Sequence, residues 1–326
     1  MKKIFFFLSI LLLNIQFAHA KIWRVNNMFG VVADFTTVTG AYNASQNGDT
    51  IYIEPSTIDY DGAYSYKNLV WISAGNFLIQ NPGNQFLNYT GRMGYLYLYP
   101  GSEGSVVSAY VVSLGINSGN ISIVRSYIEN ALNISSNIGN ILISQCFING
   151  YVYSSASNLI FTNNIVKAGF LMDTQQSSAV ITNNVFNFNY FAYPGYPYNG
   201  FKLFNAVFQN NISVKGAPSF ELNASAAIYN ICSDTTFPAG NANLRNVDMN
   251  TVFLNPIGVS DNDFQLKPGS PAIGVGYGGV DIGAFGGTSP FKLALQPAIP
   301  AITNLSSPSS SGGSTIQVTF SAKSNN

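Results

Sequence analysis

Glu129 and Lys167 are the pair of ionisable side chains best spaced for acid–base work in this chain. Both sit one place beyond a recurring eight-residue pattern, in a column they share with Asn149 and Asn187. Two repeats separate them, roughly 10 Å at the usual spacing of neighbouring strands. A lyase would use the lysine as its base and a hydrolase would use acids; a solvated polar stripe explains the same column without chemistry. The second group is aromatic. FNFNYFAYPGYPYNGF (186–201) carries Tyr190, Phe191, Tyr193, Tyr196 and Tyr198, and Pro194, Gly195 and Pro197 turn it into a protruding loop. Such rings are suited to stacking on sugars, or to folding back over the protein. The third group is Tyr60, Tyr64 and Tyr66, among Asp59, Asp61 and Lys67, together with YLYLYP (95–100). Strict alternation puts Tyr95, Tyr97 and Tyr99 on one face and the two leucines in the core. That stripe is either a glycan platform or an ordinary β surface, since tyrosine favours strands.

Several chemistries are excluded by what is missing. The one histidine, His19, lies in a leader: Lys2 and Lys3, the apolar run Ile4 to Leu13, and Ala18-His19-Ala20 as a cleavage site. A mature chain starting at Lys21 contains no imidazole, which rules out Ser-His-Asp and Cys-His catalysis and histidine-bound zinc. That chain has 12 basic and 14 acidic residues, a net charge of −2, which does not fit a nucleic-acid surface. No other stretch is long and apolar enough to span a membrane, so a secreted or cell-surface protein is expected. Asp59-x-Asp61 and Asp261-x-Asp263 lack the spacing of a calcium loop. No metal or resident cofactor is therefore expected, calcium entering only with a lyase. Cys146 and Cys232 lie four repeats apart, beyond the reach of a disulfide, and read as buried small apolar residues.

The elements that must position these residues follow from the repeat. Its copies are ISIVRSYI (121–128), ILISQCFI (141–148), LIFTNNIV (159–166), AVITNNVF (179–186), AVFQNNIS (206–213) and AAIYNICS (226–233), spaced 20, 18, 20, 27 and 20 residues apart. Each alternates as a strand does, and Gly, Asn and Ser turns separate the copies without any helical stretch. A helix-free period of this length predicts a parallel β-helix. The doublets Asn163-Asn164, Asn183-Asn184 and Asn210-Asn211 fall at a bend, where asparagine tolerates left-handed backbone and stacked amides can bond along the axis. All six are expected to form a structural ladder. The 27-residue interval marks the insertion that carries the tyrosine loop.

Three segments resemble the secreted right-handed parallel β-helix proteins of the pectate-lyase-like superfamily, in particular bacterial members of flavobacterial type. TVTGAYNASQNGDTIYIEPST (37–57) is similar to that family's first turn, the Asn doublets to its rungs, and DNDFQLKPGSPAIGVGYGGVDIGAFGG (261–287) to its last rung. The resemblance implies an all-β, right-handed, single-stranded parallel β-helix of ten to twelve rungs over residues 21–287. A signal peptide (1–20) precedes it. A Pro/Ser/Gly-rich linker and strand tail (288–326) follow, the tail available to cover the open edge of the last rung. The superfamily includes lyases, hydrolases and non-catalytic adhesins, so the fold leaves activity open. The scarcity of clustered acids and bases favours a non-catalytic protein contacting carbohydrate or a cell-surface glycan. A polysaccharide lyase or glycoside hydrolase, and a purely structural extracellular protein, are the alternatives.

Overall fold

The structure, a computed structural model, describes residues 20–172, 178–188, 200–215, 220–307 and 315–325. Alternation in the repeats becomes strand pairing. Ile121 pairs with Ile141, Ile141 with Leu159, Leu159 with Ala179 and Ala179 with Ala206, all in parallel. These strands belong to a first sheet of ten, running from Ile22–Val25 to Ala226–Ile228. Because register is kept from rung to rung, Ile123, Ile143, Phe161, Ile181 and Phe208 all point inward and are fully buried. The result is an all-β parallel solenoid of about eight turns, and beyond Ile231–Cys232 one more short stretch around Leu244 bridges in parallel to Ile231.

The second sheet changes form along the axis. Its early strands, Arg92–Leu98, Tyr110–Ile116 and Tyr127–Ile134, are long and continuous. Beyond them each rung breaks in two. Phe147–Ile148 pairs with the first half of Tyr127–Ile134 and Tyr151–Ser154 with the second. The break falls at Gly150, where a Cβ would lie 1.3 Å from the Asn130 carbonyl oxygen; only glycine lets the backbone cross there.

The bend between the two sheets holds the asparagines, and its two columns do different work. In the first column Arg125, Gln145, Asn163, Asn183, Asn210 and Tyr229 have φ of 52° to 57°. Their side chains point outward. The second column is the ladder: the Asn164 amide donates to Asn184 Oδ1 (3.0 Å), Asn184 to Asn211 (2.9 Å), Asn211 to Asn230 (3.2 Å) and Asn230 to Asn243 (3.0 Å). Asn163, Asn183 and Asn210, expected in the ladder, are outside it. The sixth repeat is also displaced by one residue. Val207 pairs with Ala226, and Ser213 with Cys232, so that copy starts at Ser225, its apolar pattern being too weak at Ala226-Ala227 to reveal the register. Asn230 thereby joins the ladder.

After the last rung the chain runs back along the solenoid as a strap. Residues 261–287, expected as a final rung, belong to this strap: backbone hydrogen bonds that a rung would make to a neighbouring strand are replaced by bonds to the outward bend column. Asn210 Oδ1 accepts from Tyr277 N (2.8 Å), Asn183 donates to Asp281 O (3.1 Å), Asn163 to Ala284 O and Gly286 O (2.9 and 2.7 Å), and Gln145 to Pro290 O (2.8 Å). Beneath it lies a second core, in which Phe147, Ile165, Val185, Ile212 and Ile231 meet Val252, Phe253, Phe264, Ile282 and Phe291. This explains the paired apolar residues that end each repeat: one faces the solenoid interior and the other the strap. Helix Val38–Ala44 closes one end with Val38 and Ala41 buried, and Phe237 packs against Phe201, Phe208 and Phe220 at the other. The tail does not cover the last rung. Ala301–Ser306 and Thr319–Lys323 form an antiparallel hairpin tied to the loop before Arg92 by Phe86 N to Ile302 O (2.7 Å).

Candidate functional site

The early, unbroken part of the second sheet has an outer face that the strap does not reach. On strand Arg92–Leu98 and just past it, Arg92, Tyr95, Tyr97 and Tyr99 face outward while Met93, Leu96 and Leu98 are buried. Tyr64 lies opposite Tyr97 in the neighbouring strand. The rings overlap like shingles: Tyr64 stacks on Tyr97 (5.6 Å between centroids, 22° between planes) and Tyr66 on Tyr99 (5.1 Å, 13°). Two glycines let the rings lie down. A Cβ on Gly62 would come within 2.5 Å of the Tyr95 ring, and one on Gly115 within 2.3 Å of the Tyr97 ring. Tyr64 and Tyr66 remain 51% and 57% exposed.

Along the axis from this ridge, register sets Tyr95 and Tyr97 beside Ser113 and Gly115, those beside Ala131 and Asn133, and those beside Tyr151 and Tyr153. Two strands of small side chains thus separate two tyrosine-bearing strands, which lie three strand steps apart, roughly 14 Å. The face is a shallow trough with aromatic rims.

One end of the trough is charged. Arg92 donates through Nε to Glu129 Oε2 (2.8 Å) and pairs through Nη1 with Asp59. The Tyr110 hydroxyl donates to the same Glu129 oxygen (2.8 Å). Burial opposes ionisation of Glu129, but the bonds from Arg92 and Tyr110 outweigh it and hold the carboxyl below its usual range. Burial and the bond to Glu129 push the Tyr110 phenol upward, and burial takes Tyr127 to about 12. Two carboxylates therefore share one guanidinium, and the surrounding phenols are hydrogen-bond donors.

Lys167 keeps its column but not the company of Glu129. It is buried, donates to Gly258 O (2.8 Å) and lies 5.0 Å from the Phe264 ring centroid, beneath the strap. Burial pushes its pKa down to about 8. A column of the repeat fixes where a side chain leaves the backbone, and the strap, which no repeat encodes, decides what it meets. Tyr190, Phe191, Tyr193, Tyr196 and Tyr198 lie outside the described residues. The rings flanking them, Phe188 and Phe201, are core residues 4.9 Å apart. Tyr60 is also internal, its hydroxyl donating to Glu54 O (2.9 Å).

The acidic pairs have local duties. Asp61 accepts from Val38 N and Thr39 N at the start of the end-capping helix. Asp261 accepts from Asn81, Asn262 N and Ala294 N, and Asp263 from Val259 N and Ser260 N. Among the described residues no three His, Cys, Asp or Glu side chains gather as a metal site. Both cysteines are free and buried. Arg92 and Tyr110 went unnoticed in the sequence because they meet Glu129 only through strand register, 37 and 19 residues away. No helix of the described residues is long and apolar enough to cross a membrane. Compared with known proteins, the chain matches no family model, no curated protein and no solved structure.

Proposed function

We propose that this protein is an exported, non-catalytic, right-handed β-helix of pectate-lyase-like type that contacts carbohydrate or a cell-surface glycan. The observation that carries the reading is the shingled tyrosine face: Tyr64, Tyr66, Tyr95, Tyr97 and Tyr99 in mutual contact. A flat ring offers its apolar face to sugar C–H groups while the phenol and nearby amides meet hydroxyls. Glycines that keep the rings flat and a floor of small residues suit a chain lying across the strands. The insertion loop with Tyr190, Phe191, Tyr193, Tyr196 and Tyr198 is a second contact in the same proposal. The test replaces Tyr64 and Tyr66 by Ala, and separately Tyr190, Tyr193 and Tyr196. Glycan-array binding should fall at least tenfold in the first variant with the β-sheet circular dichroism unchanged. Wild-type binding retained by both variants refutes the reading.

The Arg92–Glu129–Tyr110 cluster favours one second reading, a polysaccharide lyase or glycoside hydrolase. Glu129, partnered by Arg92 rather than by Lys167 and held ionised, would then be the reacting carboxylate, as base or nucleophile. Turnover of acidic or neutral polysaccharides, with or without calcium, that disappears in Glu129→Gln would replace the non-catalytic reading. A protein with neither binding nor turnover is the purely structural alternative.

A further inference from the structure

Away from the tyrosine face, a cavity of about 320 Å³ lies where the solenoid, the strap and the tail hairpin meet. Arg125 from the bend, Lys292 from the strap and Lys323 from the hairpin all line it, and among the described residues no acidic side chain does. The whole chain has only 14 lysines and arginines, so three from separate segments in one cavity are a concentration of charge. Among the described residues none of the three joins an ion pair.

Arg125 is the most constrained of them. It leaves a left-handed backbone position (φ 52°) and is half-buried. Its Nε donates to Gln145 Oε1 (2.9 Å), and Nη1 to Gln296 O and Asn325 O (3.3 and 2.6 Å). Every acceptor is neutral, and Nη2 takes no part in these bonds. Burial lowers the arginine's pKa with no carboxylate to oppose it. A guanidinium fixed this way keeps one nitrogen, Nη2, in hand for a charge-assisted bond to an oxyanion, and the two lysines that line the same cavity add to the positive charge. Asn84 and Ser324 add neutral donors to the lining.

We infer that Arg125, Lys292 and Lys323 form a binding site for an oxyanion: a carboxylate, sulfate or phosphate, either free or carried on a sugar. The cavity falls at the small end of the range for ligand sites, about 300–1,000 Å³, large enough for an anion with attached waters or one acidic monosaccharide. The bound anion relieves the repulsion among the three cations and ties hairpin and strap to the solenoid. This site is independent of the tyrosine face.

The test is isothermal titration of the full chain at constant ionic strength with sodium sulfate, phosphate, galacturonate and, as a neutral control, galactose. Saturable 1:1 binding of at least one anion and none of galactose is expected. Preference for sulfate or phosphate assigns a free ion; preference for galacturonate assigns a sugar-borne carboxylate. Arg125→Gln should weaken binding at least tenfold, and the fold should tolerate it because Gln145 occupies the same place one rung on. The exposed pair Lys292→Gln/Lys323→Gln should weaken binding as well, and Tyr64→Ala/Tyr66→Ala should leave it unchanged. Absence of saturable binding by all three anions, equal binding of galactose, or affinity unchanged in both charge variants overturns the inference.

Discussion

Asn183 and Asn184 are adjacent and identical in type, yet replacing each by alanine should have very different consequences. Asn184 is fully buried. Its amide donates to Phe161 O, Thr182 O and Asn211 Oδ1, and its Oδ1 accepts from the backbone N and the side-chain amide of Asn164. Alanine removes all five bonds in a site closed to water. The Asn164 side chain keeps its bond to Ile143 O, but the Asn164 backbone N–H loses the acceptor described for it. An orphaned buried polar group costs about 1–3 kcal/mol. With Asn211 Oδ1 and two carbonyls also losing a donor, Asn184→Ala should destabilise by about 3–5 kcal/mol, a large part of a typical total of about 5–15 kcal/mol. Asn183 instead donates to the strap at Asp281 O; losing that bond and placing alanine at φ 56° should together cost about 1.5–2.5 kcal/mol. Urea unfolding compares the two through the shift in midpoint at constant slope. Hydrogen exchange supplies the local readout, since the Asn164 amide should lose protection in Asn184→Ala and keep it in Asn183→Ala. Equal destabilisation by the two substitutions, or an Asn164 amide still protected without Asn184, refutes the division of the bend into ladder and strap anchors.

Two further perturbations probe the backbone and the strap. Gly150→Ala would force a Cβ to 1.3 Å from Asn130 O, so the splitting of the second sheet should fail and the variant should be recovered insoluble or with reduced β-sheet circular dichroism; a folded variant of native stability contradicts the close crossing. Asp261, fully buried between the strap and the loop at Asn81, has its pKa raised to about 6, chiefly by burial and against the bonds it accepts. The folded state thus holds this proton more tightly than the unfolded chain, whose aspartates titrate near 4. Its contribution to stability is fully present below pH ~4 and is lost as pH rises through about 6. Set against Asp261→Asn in urea unfolding, the wild type should lose relative stability across that window and hold a constant difference above it. A difference that grows instead with pH would show that the carboxylate, not the acid, is favoured.

Much of the architecture was legible because a solenoid repeats its instructions. Ile143, Phe161 and Ile181 announce an inward column by alternation, and the Asn doublets announce the bend by their tolerance of left-handed backbone. The sixth copy lies one residue from the register its pattern suggests, since Ala226 and Ala227 carry no clear sign of which faces inward. Tyr95, Tyr97 and Tyr99 were legible as one face; their neighbours across the trough were not, because register over several rungs depends on where each turn adds or drops a residue. Residues 261–287 have strand-like alternation but bond to side chains of the bend, and a local pattern cannot distinguish those two partners.

By itself, the amino-acid sequence determined the rung: which residues form strands, which pair of columns makes the bend, and that no histidine follows residue 19. These are short-range matters of periodicity and backbone preference, repeated often enough to be read. Tertiary structure alone decided how the columns are used. The returning strap buries Lys167 and holds Asn163, Asn183 and Asn210, while strand register gathers Arg92, Glu129 and Tyr110, and docking of strap and hairpin brings Arg125, Lys292 and Lys323 around one cavity. Each of these depends on contacts between segments distant in sequence, whose energies come from burial and hydrogen bonding across the fold rather than from any local preference.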